Sequence, residues 1–450
     1  MTIPGNYYLI NFDKLSDMNK YIIAAIIFGI ISLSCQSQAL SASPVINSDG
    51  TVTFTLDAQD ADDVYIKGSF IPEKNIFKIL VGASGKSGKA EMEEEDGVWT
   101  FTTDRLPSEF YTYYFEVDDE RMLDPNNKNV VRDIADTLNY FVVPGGIGDD
   151  YLTRDVPHGK IKKVWYPSEL KDMEKRRMSV YLPAEYFVDR EKRFPVLYLL
   201  HGSGGDEDSW GDCGRAAQIL DNLIADGRCQ PMIVVMPNGN VDLRAAPGHD
   251  PDYPDKKPRA LNLNSMVGLI ESVFMSDVVN YVDTHYRTLT DKSHRAIAGL
   301  SLGGLHTLYI SLNNPDKFDY IGLFSAQTTN ALNDEWIDGL QKIGDVWRDF
   351  KRAFSFTDNW KAGDTISQYS SENLDIYDHL DTKLSKLFNP APKLYYIAVG
   401  RDDFVKKLDD DYRDKLDSFG YKYYYNETDG AHTWENWRKY LVDFLPRIFK

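Results

Sequence analysis

Five short, almost uninterrupted apolar runs between residues 194 and 399 narrow the folds open to this chain more than any other feature. They are Phe194 to Leu200, Met232 to Met236, His294 to Ala298, Tyr320 to Phe324 and Leu394 to Val399. Runs of this kind are typical of strands that are buried on both faces of a sheet. Stretches with helical spacing, such as 274–286 and 305–312, lie between them. This alternation predicts one α/β domain over residues 155–450, with a mostly parallel sheet and helices on both faces.

A different pattern precedes this domain. Residues 43–145 contain short segments in which polar and apolar residues alternate, and turn signals such as Ser48-Asp-Gly50 separate them. The segments are Thr51 to Leu56, Asp63 to Lys67, Val98 to Thr102, Tyr111 to Val117 and Leu138 to Val143. They predict a small all-β, immunoglobulin-like sandwich. We interpret Glu91 to Asp96 as part of a polar loop and residues 146–154 as a linker.

The first 42 residues have the character of an upstream extension followed by an export signal. Met18-Asn-Lys20 is followed by the apolar run Tyr21 to Leu33, which is too short to span a membrane comfortably. Ser34-Cys35 then resembles the end of a bacterial lipoprotein box, whereas ordinary signal cleavage near Ala39 or Ala42 is the competing interpretation. We therefore expect export to the periplasm, or anchoring in the outer membrane of a Gram-negative bacterium through a lipid on Cys35.

The charge balance limits the classes of partner. The chain has 50 Lys and Arg residues against 69 Asp and Glu residues, a net charge of −19. This surplus disfavours nucleic acid and anionic membranes and tolerates neutral polysaccharides. No H-E-x-x-H or C-x-x-C motif points to a metal, and we expect no cofactor. Cys213 and Cys229 flank a segment with helical spacing that would span roughly 16 Å, so we expect buried free thiols. The sequence does not indicate an oligomeric state.

The stretch Gly299-Leu-Ser-Leu-Gly-Gly304 is the first candidate for chemistry. Ser301 follows the strand His294 to Ala298 and precedes a helical segment, which is the setting that a nucleophile elbow requires. Glycines at 299 and 303 remove Cβ atoms that would clash in so sharp a turn, and Gly304 lets the helix pack closely. We predict that Ser301 is a nucleophile.

A serine nucleophile needs a base and an acid. His432 lies in a loop after the strand Tyr421 to Asn426 and before a helical run, where hydrolases of this architecture place their histidine. The acid should follow the strand that ends at Val399, where spacing alone leaves both Asp402 and Asp403 open. We expect His201 to brace a loop and His306, on the helix after Ser301, to be structural.

Acyl transfer also needs donors for a developing oxyanion. One is the backbone N–H of Leu302, the residue after the nucleophile. The second should come from the glycine-rich loop His201-Gly-Ser-Gly-Gly205, where we expect the Ser203 N–H first and Gly204 second.

Five motifs in order resemble carbohydrate esterase family 1, the group of feruloyl and acetyl xylan esterases, and the related esterase D-like hydrolases. They are Leu200 to Trp210, Met236 to Gly239, Gly299 to Gly304, Gly400 to Phe404 and His432 to Trp437. The resemblance implies an α/β-hydrolase fold, no cofactor and an acylated plant polysaccharide as substrate. The family's acid follows a G-x-x-D pattern, which favours Asp403 and leaves Asp402 as second choice. Trp210, Trp434 and Gly204 are candidates for substrate contacts.

The N-terminal region resembles a family 48 carbohydrate-binding module. Ser43 to Phe54, Asp96 to Trp99, Tyr111 to Phe115 and Asp124 to Asn126 carry this likeness. Most of its aromatic residues sit at alternating positions, so we expect Trp99 to be a core residue rather than a platform for sugar rings.

These observations together predict an exported serine esterase that removes feruloyl or acetyl groups from a polysaccharide such as arabinoxylan. An enterochelin-type siderophore esterase also joins an N-terminal sandwich to this fold, and a basic cleft would favour it. A transferase that uses a sugar hydroxyl as acceptor would need a drier cleft. A non-catalytic carbohydrate-binding lipoprotein is disfavoured because serine, aspartate and histidine are all present in order.

Overall fold

The computed structural model describes residues 42–72, 88–254, 268–328 and 374–450. The predictions for the export signal, Cys35 and Ala39 lie outside these ranges. Within them, no helix combines the length and apolar character needed to cross a membrane.

The N-terminal region folds as two antiparallel sheets packed face to face. The strands are β1 (Val45–Ile46), β2 (Val52–Asp57), β3 (Val64–Gly68), β4 (Lys89–Glu91), β5 (Glu93–Glu95), β6 (Val98–Thr102), β7 (Glu109–Val117), β8 (Glu120–Met122), β9 (Val130–Asp133) and β10 (Asp136–Val143). One sheet has the order β1-β2-β6-β5 and the other β4-β3-β7-β10-β9, with β8 paired to β7. Alternation along the strands buries Phe54 of the first sheet against Tyr113 and Phe141 of the second. The predicted sandwich is confirmed.

Two expectations about the sandwich had different outcomes. The interpretation of Glu91 to Asp96 as a polar loop is wrong, because β4 and β5 occupy most of it. Edge strands need only backbone pairing on one side, so the exposed glutamates of β5 do not prevent it. Trp99 is a core residue, as expected, with its indole N–H donating to the Ala58 carbonyl at 3.0 Å.

The second region is built on an eight-stranded sheet of order β11-β12-β14-β13-β15-β16-β17-β18. Its strands are β11 (Lys160–Pro167), β12 (Lys175–Leu182), β13 (Val196–Leu200), β14 (Ile233–Pro237), β15 (Arg295–Leu300), β16 (Tyr320–Phe324), β17 (Leu394–Gly400) and β18 (Tyr424–Thr428). β12 pairs antiparallel with both β11 and β14, whereas β13 to β18 are mutually parallel. The prediction of a mostly parallel α/β sheet is confirmed.

Helices cover this sheet, and buried apolar clusters lie on both of its faces. They are α1 (Glu185–Val188), α2 (Ser209–Asp212), α3 (Ala216–Ala225), α4 (Leu269–Val273), α5 (Asn280–His285), α6 (Leu302–Asn313), α7 (Leu380–Leu387), α8 (Lys406–Ser418) and α9 (Trp434–Phe444). A π-helical segment, Phe274–Val279, joins α4 to α5, and short 3-10 helices occur at Ile147–Asp150, Lys292–His294, Leu374–Ile376 and Leu445–Arg447.

The connection between the two regions is fixed in place. The amide of Asn222 on α3 donates to the carbonyls of Asp149, Asp150 and Leu152 at 3.2, 3.0 and 2.9 Å. Arg438 on α9 donates to Glu109 at the start of β7 at 3.0 Å, and both side chains are buried. Cys213 and Cys229 are free thiols, as expected from their separation.

The topology decides where chemistry can occur. Because β13, β15, β17 and β18 are parallel, the loops that follow them meet at one edge of the sheet. These loops carry His201 to Gly205, Ser301, Asp402 with Asp403, and His432.

Candidate active site

Ser301 occupies a strained backbone conformation between β15 and α6. Its φ of 52° and ψ of −117° lie in a region that side chains other than glycine rarely adopt. Such a residue costs about 1–3 kcal/mol and persists only when its surroundings fix it. Here the Ser301 N–H donates to the Phe324 carbonyl at 2.9 Å, which ties the turn to β16. The strain is the geometry of a nucleophile elbow.

The turn is in direct contact with the loop after β13. A Cβ on Gly303 would lie 2.4 Å from the His201 carbonyl oxygen, so a side chain at this position would force the two apart. Leu302 is the first residue of α6, and its N–H therefore has no carbonyl partner one turn earlier in the helix. This N–H is placed to serve as an oxyanion donor beside the loop of Ser203 and Gly204.

His201 braces the loop after β13. Its Nδ1 bonds the Gly202 carbonyl at 2.8 Å, and its Nε2 accepts from the Gly239 N–H at 2.8 Å. Burial lowers the pKa of His201 to about 4, so the ring is neutral and can donate through one nitrogen while accepting through the other. His201 thus joins the loops after β13 and β14 and leaves no nitrogen for proton transfer.

Three consecutive carboxylates fix the rest of this loop to three parts of the protein. The pairs are Asp206 with Arg132 on β9, Glu207 with Arg177 on β12, and Asp208 with Lys163 on β11. Burial, followed by the charges of Asp206 and Asp208, raises the pKa of Glu207 to about 7. The loop is held by these ion pairs, and its first glycine, Gly202, lies against the turn of Ser301, where an added Cβ would be 3.2 Å from the Ser301 Cβ.

The structure pairs His432 with Asp403. The His432 Nδ1 lies 2.9 Å from Asp403 Oδ1, and the same carboxylate oxygen accepts the Val405 N–H at 3.0 Å. Asp403 is buried, whereas Asp402 is exposed. With Nδ1 directed at the carboxylate, Nε2 is the nitrogen that can exchange a proton with Ser301.

The acid and histidine loops are locked to each other. The Asp402 N–H donates to the Gly430 carbonyl at 3.0 Å. A Cβ on Gly400 would lie 2.2 Å from that carbonyl oxygen, so only glycine allows the approach. Asn436 on α9 donates to the Ala431 carbonyl at 2.8 Å and secures the residue before His432.

Asp409 is a second buried carboxyl group close to Asp403. Both of its oxygens, like Asp403 Oδ2, lack a hydrogen-bond partner among the described residues. Burial, followed by the charge of Asp403, raises the pKa of Asp409 well above its ordinary value. The surroundings of Asp409 therefore favour its protonated, neutral form. Sequence reasoning missed it because Lys406 to Asp411 has the pattern of a solvated helix face.

Trp210 does not line the site, which corrects the expectation of a substrate contact. Its side chain is 1% exposed and its indole N–H donates to the Leu200 carbonyl at 2.9 Å. The ring packs edge-on against Trp434 at 5.4 Å and turns inward because α2 folds back beneath the loop. Trp434 is half-buried, and its indole N–H donates to Asp133 of the sandwich at 3.2 Å.

Phe404 contacts the ring of His432, and sequence reasoning did not single it out. Its ring is 55% exposed and lies 4.3 Å from the His432 ring, centroid to centroid. An apolar residue directly after the acid motif was the available signal. Residues 255–267 and 329–373 of this domain lie outside the described residues.

Comparisons with known proteins identify the family of this chain. The model of the family described as "Putative esterase" matches residues 172–448. The chain is 32% identical over 299 residues to an endo-1,4-beta-xylanase/feruloyl esterase of Xylanibacter ruminicola, covering 63% of this chain and 36% of that protein. It is 27% identical over 267 residues to an acetyl esterase of Caldicellulosiruptor saccharolyticus, covering 58% of this chain and 86% of that protein. The chain thus spans little more than a third of the first relative.

One solved structure resembles most of the chain. The enterobactin esterase FES from Shigella flexneri aligns with a TM-score of 0.51 and 15% identity, over 88% of this chain and 92% of that one. At this identity the likeness concerns the fold.

The raised pKa of Asp409 predicts how the stability of the protein depends on pH. Its raised pKa in the folded state means that stability is fully present below the ordinary value of about 4 and is lost as the pH rises above it. Asp409→Asn removes this loss, so we expect its melting temperature at pH 7 to exceed that of the wild type by about 2–4 °C. Thermal unfolding between pH 4 and pH 8 should show the difference shrinking towards pH 4. A variant that is destabilised equally at every pH would contradict the neutral form.

Proposed function

Since the chain belongs to the esterase family, we propose that it is a serine esterase that removes feruloyl or acetyl groups from plant cell-wall polysaccharide such as arabinoxylan. The observation that carries this proposal is the strained turn of Ser301, at the same sheet edge as the His432–Asp403 pair. The names of the two relatives, feruloyl esterase and acetyl esterase, support the substrate class.

In the acylation step, Ser301 Oγ attacks the ester carbonyl while His432 Nε2 takes its proton. The carbonyl oxygen becomes an oxyanion that accepts hydrogen bonds from the Leu302 and Ser203 amides. Asp403 holds Nδ1 protonated and stabilises the imidazolium. The bond from the carbonyl carbon to the sugar oxygen then breaks, and that oxygen leaves with the proton from His432.

Deacylation repeats these roles with water. His432 takes a proton from water, the hydroxide attacks the acyl-enzyme, and Ser301 recovers its proton as the acid leaves.

The surroundings of His432 favour an aromatic acyl group. Phe404 offers an exposed ring on one side of His432, and Trp437 packs edge-on at 5.0 Å on another. An aromatic ring of the substrate would gain from stacking against Phe404, whereas an acetyl group would leave that ring in water. We therefore place a feruloyl ester before an acetyl ester.

A siderophore esterase is the second candidate, because the FES fold extends over most of this chain. A ferric catecholate is anionic and needs cations at the cleft. Next to the loop after β13, the cations Arg132, Arg177 and Lys163 are each paired with a carboxylate of residues 206–208. This pairing, together with the net charge of −19, favours a neutral polysaccharide.

Ser301→Ala should reduce hydrolysis of methyl ferulate or p-nitrophenyl acetate by about 10⁴- to 10⁶-fold, because it removes the hydroxyl that forms the acyl-enzyme. Asp403→Asn should lower kcat by about 10³- to 10⁴-fold through loss of the oriented imidazole. Asp402→Asn is the matched control and should retain nearly full activity because Asp402 is exposed. Steady-state kinetics of the three variants decides this, and equal losses for Asp402→Asn and Asp403→Asn would contradict the assignment of the acid.

The substrate is tested with three esters presented to the same purified protein: methyl ferulate, acetylated xylan and a cyclic triester of 2,3-dihydroxybenzoylserine. We expect the highest kcat/KM for methyl ferulate, and Phe404→Ala should lower this value by about 5-fold, as expected for loss of about 1 kcal/mol of aromatic stacking. Acetyl release should change little in that variant. A preference for the cyclic triester would support the siderophore alternative instead.

We also propose that the protein is exported and anchored by a lipid on Cys35, which the short apolar run before it supports. Cell fractionation tests this with the wild type and the Cys35→Ala variant. We expect the wild type in the membrane fraction and the variant in the soluble periplasmic fraction. A wild type that is itself found in the periplasmic fluid would favour cleavage near Ala39 or Ala42.

A further inference from the structure

The turn between β9 and β10 of the sandwich lies against the active site. Residues 132–136, here called the hairpin tip, contact the loop after β13 through Arg132 and the histidine loop through Asp133. Consecutive residues of a strand point to opposite sides. The hairpin tip therefore stands between the two loops that must cooperate in catalysis.

The contact with the oxyanion loop is bidentate. Arg132 Nη1 and Nη2 donate to Asp206 Oδ2 and Oδ1, each at 2.7 Å. The Asp206 side chain is fully buried, and its Oδ1 also accepts the Asp208 N–H at 3.0 Å. Arg132 Nη1 donates in addition to the Ile134 carbonyl at 2.5 Å, which holds the positive-φ residue of the hairpin tip. The guanidinium thus links the hairpin tip to the loop that carries Ser203.

The contact with the histidine loop passes through tryptophan rings. Asp133 Oδ1 accepts the Trp434 indole N–H at 3.2 Å, two residues after His432. Trp434 packs edge-on against Trp437 at 5.2 Å, and Trp437 packs edge-on against the His432 ring at 5.0 Å. A shift of Asp133 is therefore transmitted to the catalytic imidazole through two packed rings.

Other contacts also join the two regions. The buried pair of Arg438 and Glu109 and the bonds from Arg215 to the Tyr151 carbonyl join the regions elsewhere. Neither of these touches the loops that carry Ser203 and His432. The contacts of Arg132 and Asp133, by contrast, reach the two loops of the active site.

We propose that Arg132 and Asp133 are positioning residues of the esterase, which set the oxyanion loop and the catalytic histidine relative to Ser301. The sandwich then completes the active site of the second region rather than only delivering it to a polysaccharide. This inference rests on the proposed serine esterase function. It predicts a defect on small soluble esters that contain no sugar, which a role confined to carbohydrate binding does not.

The experiment uses the full chain with Arg132→Gln and Asp133→Ala. Kinetics on methyl ferulate should show kcat lowered by about 10- to 100-fold, the loss expected from misplacing reacting groups by about 1 Å, with KM changed by less than about 3-fold. Active sites are counted by labelling with a fluorophosphonate, so that kcat refers only to folded, reactive enzyme.

Three variants serve as controls. Asp133→Asn retains an oxygen that can accept the Trp434 N–H and should restore nearly full kcat. Arg132→Lys cannot form the bidentate pair and should stay impaired. Arg154→Gln removes another bidentate pair, between the linker and Asp226 of the second region at 2.8 Å for both bonds, and should leave kcat unchanged.

The outcomes separate the two proposals. A wild type that neither reacts with the fluorophosphonate nor hydrolyses any of the esters would overturn the proposed function itself. An active wild type whose Arg132→Gln and Asp133→Ala variants keep a wild-type kcat per labelled site would overturn only the positioning role. Impairment of Arg154→Gln to the same extent would likewise reduce the contacts to general docking.

Discussion

The loop after β13 approaches the turn of Ser301 so closely that residue 303 can have no side chain, and the active site depends on this contact. The carbonyl oxygens of His201 and Leu200 would lie 2.4 and 2.7 Å from a Cβ on Gly303. Because backbone meets backbone, the separation between the Leu302 amide and the loop of Ser203 does not depend on a flexible side chain. The strain at Ser301 is sustained by the buried strand and helix on either side of it.

Most of the buried carboxylates around this contact have a partner that can carry a positive charge. A buried carboxylate without a partner is costly, and removal of one member of a buried pair leaves the other exposed to that cost. Residues 206–208 each have a cationic partner on a different strand, and Asp403 faces His432. Both oxygens of Asp409 lack a hydrogen-bond partner among the described residues, and burial raises the pKa of this group well above its ordinary value.

Local patterns predicted the fold well because burial on both faces and alternation are properties of a few neighbouring residues. The order of Ser301, an acid and His432 could be predicted for the same reason, since each follows a recognisable strand. The direction of Trp210 could not, because it depends on how α2 folds under the loop. The burial of Asp403 over Asp402 depends on the contact of Gly400 with Gly430, thirty residues away, and local spacing contains no trace of it.

The contacts of the hairpin tip join residues that are still further apart in the sequence, so local patterns could not predict them either. These contacts also suggest a different role for the sandwich. Asp133 and Trp434 are 301 positions apart, so no pattern in either segment predicts their bond. Resemblance to a carbohydrate-binding module directs attention to aromatic platforms for sugars. Yet in described residues 42–72 and 88–143, no aromatic side chain is among the exposed large apolar residues. The alternation of the strands places Phe54, Tyr113 and Phe141 in the core, where they cannot stack on a sugar. What this sandwich presents to the second region is instead a polar hairpin, aimed at the two loops whose relative position determines the rate of reaction.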